Sequence, residues 1–302
     1  MASRPVEPTP ESLDEWLRSL LPPGGLGAQG QAVFQQLHAD PGHASHAPAA
    51  EIAELAGASV SSVTRTAQRL GFPGWPRLQA ELRSRYLARL SLVDIAASHA
   101  DSQMPFGDAL RNDQRALAAA SRSIDEAQIL RIARRIIKAD NIYVTSQGSF
   151  AAVGLALAHN MGIAGYPVRE LLNEPAALSN AVSRMGPADL LIVCSYWRIY
   201  DVAVIAARSA HRRGAAVVLL ADSLPQALRA VADEVVIAPA EGTSFFPSLT
   251  AATAVQQGIV ATLASLDPAR TRTAMTAAER SWQDFKLLHH EPSRPTEPRS
   301  RK

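Results

Sequence analysis

From about residue 125 onward, short apolar runs alternate with stretches long enough to form helices. Continuously apolar strands separated by helices predict a parallel sheet covered on both faces, because right-handed crossovers place helices against it. The predicted strands are Ile142–Thr145, Val168–Leu172, Leu190–Ser195, Ala216–Ala221 and Val235–Ala238. The predicted fold class of this part is an α/β doubly wound sandwich with five parallel strands.

Before residue 125, apolar residues recur at helical spacing instead, which predicts an all-α region. Helices are expected at about 12–21, 29–39, 48–57, 60–70, 76–98 and 108–120. A chain of 302 residues has the length of two domains. We expect a helical domain over 11–90, a helical linker over 91–124, the sheet domain over 125–285, and disordered tails at 1–10 and 289–302.

Composition excludes several classes of protein. The single cysteine, Cys194, rules out an internal disulfide or a cysteine-rich zinc site and fits the reducing cytoplasm. No uncharged apolar run reaches the roughly 18 residues of a membrane helix, and the first ten residues lack the apolar region of a signal peptide. A cytoplasmic protein without a membrane partner is therefore expected.

Two short helices around Gly57 have the spacing of a helix-turn-helix. Ile52, Leu55 and Ala56 give the first helix an apolar stripe, Gly57 permits the tight turn, and Ser59 is suited to cap the second helix. Two amphipathic helices around a glycine also occur without any DNA contact, so the pattern alone leaves that alternative open.

The second helix is expected to carry a polar, basic outer face of the size that a major groove accepts. The predicted inward residues are Val60, Val63, Ala67 and Leu70. Ser61, Ser62 and Arg65 are expected to face base edges, with Thr64 near the groove wall and Arg69 reaching phosphate. The full set of predicted DNA contacts is Ser59, Ser61, Ser62, Thr64, Arg65, Gln68, Arg69 and Arg77.

Charge is distributed unevenly along the chain. The formal net charge is only +2, but the stretch from Ser59 to Arg89 holds six arginines against the single acidic residue Glu81. A local basic patch is what phosphate binding requires. The charge pattern therefore favours double-stranded DNA as a partner of the helical part.

The segment GASVSSVTRTAQRLGFPGWPRLQAELR, which begins at Gly57, resembles the helix-turn-helix of the RpiR family of transcription regulators. The ending Leu70–Leu78 is the most specific part of the match, which covers about residues 12–90. The resemblance implies sequence-specific DNA binding. The histidine- and proline-rich loop Asp40–Pro48 departs from the family pattern and leaves its own conformation open.

Polar residues follow the first and third predicted strands, whose carboxyl ends are adjacent if the strand order is 2-1-3-4-5. Ser146–Ser149 opens a helix after the first strand, and hydroxyls with free N–H groups at a helix N-terminus form an anion site. Ser195–Tyr200 follows the third strand. A phosphate or carboxylate ligand is expected between these loops.

This strand-loop-helix series, over about residues 125–265, resembles the sugar isomerase (SIS) domain that RpiR proteins carry behind their DNA-binding domain. In the family the first loop and the third-strand loop, commonly Ser-x-Ser-Gly-x-Thr, hold a sugar phosphate. This chain keeps Ser146, Ser149 and Ser195 but has Tyr196, Trp197 and Arg198 in place of the rest. The two rings could contact ligand or pack against a neighbouring helix or a dimer partner. The predicted ligand contacts are Ser146, Gln147, Gly148, Ser149, Ser195, Arg198, Ser244 and Ser248, the last two alternatively capping a helix.

Catalysis has little support in the sequence. Glu241 and His159 are the acid/base candidates, and neither has a spacing that demands chemistry. The loop histidines His38, His43 and His46 suggest solvated side chains more than a metal site. We expect no enzyme activity, no metal and no cofactor.

The predicted function is a homodimeric transcription regulator that binds operator DNA and a small anionic ligand such as a sugar phosphate. The ligand would favour one placement of the DNA-binding domains, with residues 78–120 as transmitter. The alternatives are a sugar-phosphate isomerase with an appended DNA-binding domain, and an interaction protein without either activity.

Overall fold

The computed structural model describes residues 12–45, 47–87, 104–224, 226–243 and 246–287. Eight helices in this part precede the sheet: α1 (Leu13–Ser19), α2 (Ala28–Ala39), α3 (Pro41–Ala44), α4 (Ala49–Leu55), α5 (Val60–Arg69), α6 (Trp75–Leu87), α7 (Pro105–Ser123) and α8 (Glu126–Lys138). The alternating part follows: β1 (Asn141–Ser146), α9 (Ala151–Ile163), β2 (Val168–Leu172), α10 (Pro175–Val182), β3 (Asp189–Ser195), α11 (Asp201–Arg212), β4 (Ala216–Ala221), α12 (Gln226–Arg229), β5 (Glu234–Ile237), α13 (Thr250–Leu266) and α14 (Pro268–Asp284).

Helices α1 to α6 surround one core of their own. Buried side chains from all six helices meet there, with Trp16, Phe34, Ile52, Val63 and Leu78 among them. Local chemistry explains where the central pair begins and ends. Gly57 turns the chain after α4 with a φ of 59°, and the Ser59 hydroxyl accepts the Ser62 N–H to cap α5.

The five strands pair in the order β2-β1-β3-β4-β5, and every pair is parallel. The order reverses between β1 and β3, where Ser146 lies beside Cys194 in the register. This arrangement confirms the predicted doubly wound sheet and leaves a crevice at the carboxyl ends of β1 and β3.

Alternate strand residues supply the two faces of the sheet. Ile142, Leu190 and Val218 belong to a core shared with α7, α8, α9 and α13. Leu191 and Val217 belong to the opposite core, against α10, α11 and α12. The sheet is therefore the middle of three layers.

Helix α7 packs against the sheet region, since Ala116 and Ala120 are buried in the first of these cores. Residues 1–11, 88–103 and 288–302 lie outside the described part; they include both predicted tails, the end of the predicted helix 76–98 and the first part of the predicted linker 91–124. The boundaries of the predicted domains and of the linker stay predictions.

The predicted strands agree with the observed ones to within one residue at each end, whereas two details of the helical part were not predicted. Asp40 accepts the His43 N–H and starts the short helix α3 inside the loop that the sequence left open. Leu55 is 52% exposed, so its assignment to the apolar stripe of α4 is wrong; Ile52 and Ala53 fill that face instead.

Candidate functional site

Helix α5 presents a polar face to solvent. Its exposed residues are Val60, Ser61, Arg65, Gln68 and Arg69, with Thr64 half-buried. Arg69 donates to the carbonyl of Gly25 at 2.9 Å, which orients its guanidinium beside the N-terminal end of α2. Five of the predicted DNA-contact residues therefore lie together on one accessible surface, and Ser59 is exposed at its N-terminal end.

The prediction that Ser62 faces the bases is wrong, because this side chain is only 4% exposed. Its hydroxyl donates to Oε1 of Gln29 at 2.5 Å and accepts from the Arg65 guanidinium at 3.2 Å. Val60, expected inward, is 49% exposed. The buried face of α5 includes the polar Ser62 and Thr66 because α2 and the helix backbone satisfy their hydroxyls; Thr66 donates to the Ser62 carbonyl at 2.7 Å.

Two arginines of the basic stretch are engaged inside the protein. Arg83 pairs with Glu241 at 2.5 Å. Arg85 bonds Glu81 at 3.1 Å and lies 4.5 Å from the ring centre of Trp16. The described arginines of this stretch that stay exposed are Arg65, Arg69 and Arg77. The basic surface is therefore smaller than the sequence predicts and centres on α5 and the start of α6.

A cavity of about 230 Å³, called the strand-end cavity below, lies where β1 and β3 end. It is lined by Gln147, Gly148, Ser149, Phe150, Tyr196, Trp197, Arg198, Tyr200, Phe246 and Pro247. Its volume is below the roughly 300–1,000 Å³ of most ligand pockets.

Four of the predicted ligand residues line the strand-end cavity: Gln147, Gly148, Ser149 and Arg198. Ser146 and Ser195 do not, which corrects their assignment: both end buried strands and are 2% and 5% exposed. The Ser146 hydroxyl donates to the carbonyl of Cys194 at 2.8 Å and so joins β1 to β3.

The assignment of Ser248 to the ligand is also corrected. Its hydroxyl donates to Oδ1 of Asp113 at 2.6 Å and accepts the N–H of Thr250, the first residue of α13, so it is engaged inside the protein. Ser244 lies outside the described residues.

The polar part of the strand-end cavity forms half of an anion cradle. The Gly148 N–H is already occupied, because it donates to Oδ1 of Asn173 at 2.9 Å. Ser149 is exposed, and Nε2 of Gln147 is buried without a hydrogen-bond partner among the described residues. The cavity is therefore lined by one hydroxyl, one amide and the positively charged guanidinium of Arg198, which are groups that bind anions in proteins.

Aromatic rings make the rest of the cavity wall. Tyr196 is buried and stacks on Phe150 with centroids 4.6 Å apart, so packing is its observed role, and burial raises the pKa of its phenol. Trp197 has a φ of 67°, in the left-handed region that bulky residues rarely adopt. Tyr200 lies over the first loop, where a Cβ on Gly148 would meet its hydroxyl at 2.9 Å.

Sequence reasoning missed several contributors to this site. They are Phe150, Asn173, Tyr200, Phe246 and Pro247. Two loop sequences carried a signal: Ser195–Tyr200 was singled out as a loop beside the ligand, and the hydroxyl-rich segment around Phe246 was singled out for its serines. The others are brought in by the fold.

Two further cavities, of about 450 and 430 Å³, lie between helix α6 and the carboxyl ends of β4 and β5. Asp222 lines both. Burial raises the pKa of its carboxyl to about 6, opposed by the N–H groups of Trp197 and Ser223 and reinforced by Glu81. Burial also raises the pKa of Glu81, opposed by Arg85. The helical part and the sheet part thus meet at buried acids.

The acid/base candidates are placed apart. Glu241 is engaged with Arg83, and His159 is exposed on α9. Burial raises the pKa of the Cys194 thiol to about 12, which removes it as a nucleophile at neutral pH. His38 contacts Asp14 and His43 contacts Glu51 at 2.9 Å, while His46 lies outside the described part.

The described residues contain neither a cluster of metal ligands nor a membrane-spanning helix. No group of three or more His, Cys, Asp or Glu in this part of the chain is placed to hold a metal ion. No helix within the same residues combines the length and apolar character needed to cross a membrane.

Comparison with known proteins identifies the sheet domain. Residues 135–267 match the SIS domain family model. The sugar isomerase domain of an RpiR transcription factor from Sphaerobacter thermophilus is 26% identical with a TM-score of 0.57, and the match covers 59% of this chain and 99% of that one.

Two more distant structures share the fold. NanR of Vibrio vulnificus, solved in complex with ManNAc-6P, is 18% identical with a TM-score of 0.56 and is matched over 92% of this chain and 100% of its own. The c3406 protein of E. coli CFT073, in complex with A5P, is 14% identical with a TM-score of 0.50, over 57% and 94% of the two chains. The chain therefore carries a SIS domain at residues 135–267 behind helices that fit a helix-turn-helix, and its resemblance to RpiR regulators is confirmed.

Proposed function

We propose that this protein is a DNA-binding transcription regulator controlled by a small anionic ligand of the sugar-phosphate class. The observation that carries the proposal is the combination in one chain of an accessible polar helix, α5, with a SIS domain whose strand ends enclose a cavity. The likeness to NanR in complex with ManNAc-6P, which extends over both parts of the chain, supports the same combination.

On the DNA side, the proposal assigns the base edges to Ser61 and Arg65, because they lie at the exposed N-terminal half of α5. Thr64, Gln68 and Arg69 would contact the groove wall and phosphates, with Ser59 and Arg77 at the margins. Ser62 has no place in this set, since it is buried. A homodimer would present two such helices to a roughly palindromic operator.

On the ligand side, Ser149, Gln147 and Arg198 would take the anion, and Gly148 permits close approach. The aromatic wall formed by Trp197, Tyr200 and Phe246 would lie against the apolar face of a sugar ring. The replacement of small hydroxyl residues by rings favours a ligand with more apolar surface than a simple phosphosugar.

The DNA half is tested by mapping the genomic sites of the protein and measuring affinity for the recovered sequence. Arg65→Ala is expected to cost about 1–3 kcal/mol on that site and to relax specificity. Arg184→Ala, an exposed arginine of the SIS domain, serves as the matched control. Equal losses on cognate and random DNA would reject base reading by Arg65.

The ligand half is tested by thermal shift and calorimetry with inorganic phosphate, N-acetylmannosamine 6-phosphate, ribose 5-phosphate and gluconate. A true ligand should lose affinity in Arg198→Ala and in Ser149→Ala but not in Ser179→Ala, which lies on the exposed side of α10. A binder indifferent to both changes places the site elsewhere. Turnover of aldose or ketose phosphates would favour the isomerase alternative.

A further inference from the structure

The chain between β5 and α13 contributes to two different cavities. Its first described piece, residues 238–243, carries Glu241, which lines the 430 Å³ cavity beside α6. Its second piece, residues 246–249, carries Phe246 and Pro247, which line the strand-end cavity. These two pieces, called the bridging segment here, therefore reach from the ligand site to the helical domain.

Glu241 joins the bridging segment to α6 directly. Its Oε2 lies 2.5 Å from Nη1 of Arg83, and both side chains are only about a quarter exposed, at 27% and 25%. The neighbouring Leu82 is buried in the core of the helical domain. Because the pair is partly withdrawn from water, its attraction is screened less than that of a surface ion pair.

The two pieces of the bridging segment are in contact with each other. A Cβ on Gly242 would lie 1.9 Å from the carbonyl oxygen of Phe246, so only glycine allows the backbones to approach this closely. The Ser248 N–H donates to the Ala240 carbonyl at 2.9 Å. A displacement of Phe246 cannot leave the position of Glu241 unchanged without breaking these contacts.

Adjacent residues of α7 hold both pieces. The side chain of Asn112 donates to the Glu241 carbonyl at 2.7 Å. Asp113 accepts from Ser248 and from Thr250, each at 2.6 Å. The bridging segment is thus held by one turn of α7, while its Glu241 contacts α6.

Trp197 provides a second contact between the same two cavities. Its side chain lines both the strand-end cavity and the cavity beside α6. Asp222, which lines the cavity beside α6 together with Trp197, also lines the second cavity against that helix. The wall between ligand site and helical domain is therefore one residue thick at this point.

We propose that the bridging segment couples the strand-end cavity to the DNA-binding helices, with the Arg83–Glu241 ion pair as the joint; this rests on the proposed function. A ligand against Phe246 shifts Glu241 and changes how firmly α6 is held on the SIS domain. Such a ligand regulates only through its different affinity for the held and released arrangements. The predicted transmitter, residues 78–120, includes Arg83 of α6 and the residues of α7 that hold the bridging segment. It does not include Glu241, the partner of Arg83 in the SIS domain.

Hydrogen exchange on the full chain, without ligand or DNA, tests the coupling from both ends. Glu241→Gln keeps the shape of the side chain and removes its charge; it is expected to speed exchange of the α6 amides about two- to fivefold. The same variant should speed exchange at residues 246–249, next to the strand-end cavity. Strand β3 should exchange as in the wild type.

Gly242→Ala tests the other direction, because its Cβ forces the Phe246 backbone away, and α6 should again exchange faster. Arg184→Ala is the control and should change neither region. Faster exchange in α6 alone, with residues 246–249 unchanged in Glu241→Gln, would mean a docking contact without coupling and would overturn the proposal. If Gly242→Ala fails to fold, the charge reversal Arg83→Glu with Glu241→Arg replaces it and should restore wild-type exchange in both regions.

The mapping of genomic DNA sites tests the proposed regulator function, and hydrogen exchange tests the proposed coupling, so the two can fail separately. The absence of genomic DNA sites rejects the regulator function, whatever the exchange results are. DNA binding with unchanged exchange at residues 246–249 in Glu241→Gln rejects only the coupling.

Discussion

The Ser62 hydroxyl donates to the side-chain oxygen of Gln29 across 2.5 Å and joins α5 to α2. This bond fixes which face of α5 is buried. With Ser62 and Thr66 turned inward, Ser61 and Arg65 remain accessible at the N-terminal half of the helix. The surface available to DNA is therefore set by a polar contact inside the helical domain as well as by its apolar core.

Replacing each of the neighbouring residues Ser61 and Ser62 by alanine in turn should show that one contributes to DNA recognition and the other to the stability of the fold. Ser62→Ala removes a buried hydrogen bond and is expected to lower the free energy of unfolding by about 0.5–1.5 kcal/mol, measured by urea denaturation. Ser61→Ala lies on the exposed side and should change stability by less than about 0.5 kcal/mol while weakening operator binding. The opposite pattern would mean that Ser62 is the base-reading residue.

The pH dependence of stability should carry a contribution from Asp222. Burial raises the pKa of this carboxyl to about 6 from an ordinary value of 3.8. The folded state then binds the proton more tightly than the unfolded state. The contribution is fully present at low pH and is lost as pH rises through about 6.

Between pH 5 and pH 7.5, wild type is expected to lose about 1–2 kcal/mol through this group, and Asp222→Asn should not. Urea denaturation of both proteins at the two pH values measures the difference. A gap between wild type and variant that stays constant with pH would contradict the raised pKa.

The sheet could be predicted from sequence because each strand is a local apolar run, and the strand order follows from the rules of doubly wound folds. The predicted strands and the adjacency of the carboxyl ends of β1 and β3 depend on nothing else. Gln147, Gly148, Ser149 and Arg198 were found in the same way, since residues after the strands meet at one edge.

What could not be predicted depends on partners distant in sequence. Ser62 resembles an outward residue until Gln29 is known to face it, and Ser248 resembles a ligand group until Asp113 is beside it. Arg83 and Glu241 are 158 residues apart, and no local pattern signals their pairing. The assignments of Ser62 and Ser248 were therefore wrong because each side chain bonds a residue that is distant in sequence.

Gly148→Ala should destabilise the protein and disturb the strand-end cavity. This glycine has a φ of 63°, and an alanine there costs about 1–2 kcal/mol in backbone conformation alone. Its Cβ would also meet the Tyr200 hydroxyl at 2.9 Å and push that ring from the cavity wall. Gly258→Ala, in α13 with open space around it, should instead stabilise by roughly 0.5–1 kcal/mol.

Urea denaturation compares the two glycine variants. Tyr200→Ala added to Gly148→Ala should recover the steric part of the loss but not the backbone part. Equal stability of Gly148→Ala and wild type would mean that the first loop does not hold the left-handed conformation.

The Cys194 thiol should report the opening of the SIS domain. It is 1% exposed, and burial raises its pKa to about 12, so roughly one thiol in ten thousand is ionised at pH 8. A disulfide reagent such as dithiodipyridine should react with the native protein only as fast as the domain opens, and immediately in denaturing urea. Because Cys194 is the only cysteine of the chain, the absorbance change is assigned without ambiguity, and Cys194→Ser supplies the blank. Fast, complete reaction under native conditions would show that the end of β3 is open to solvent.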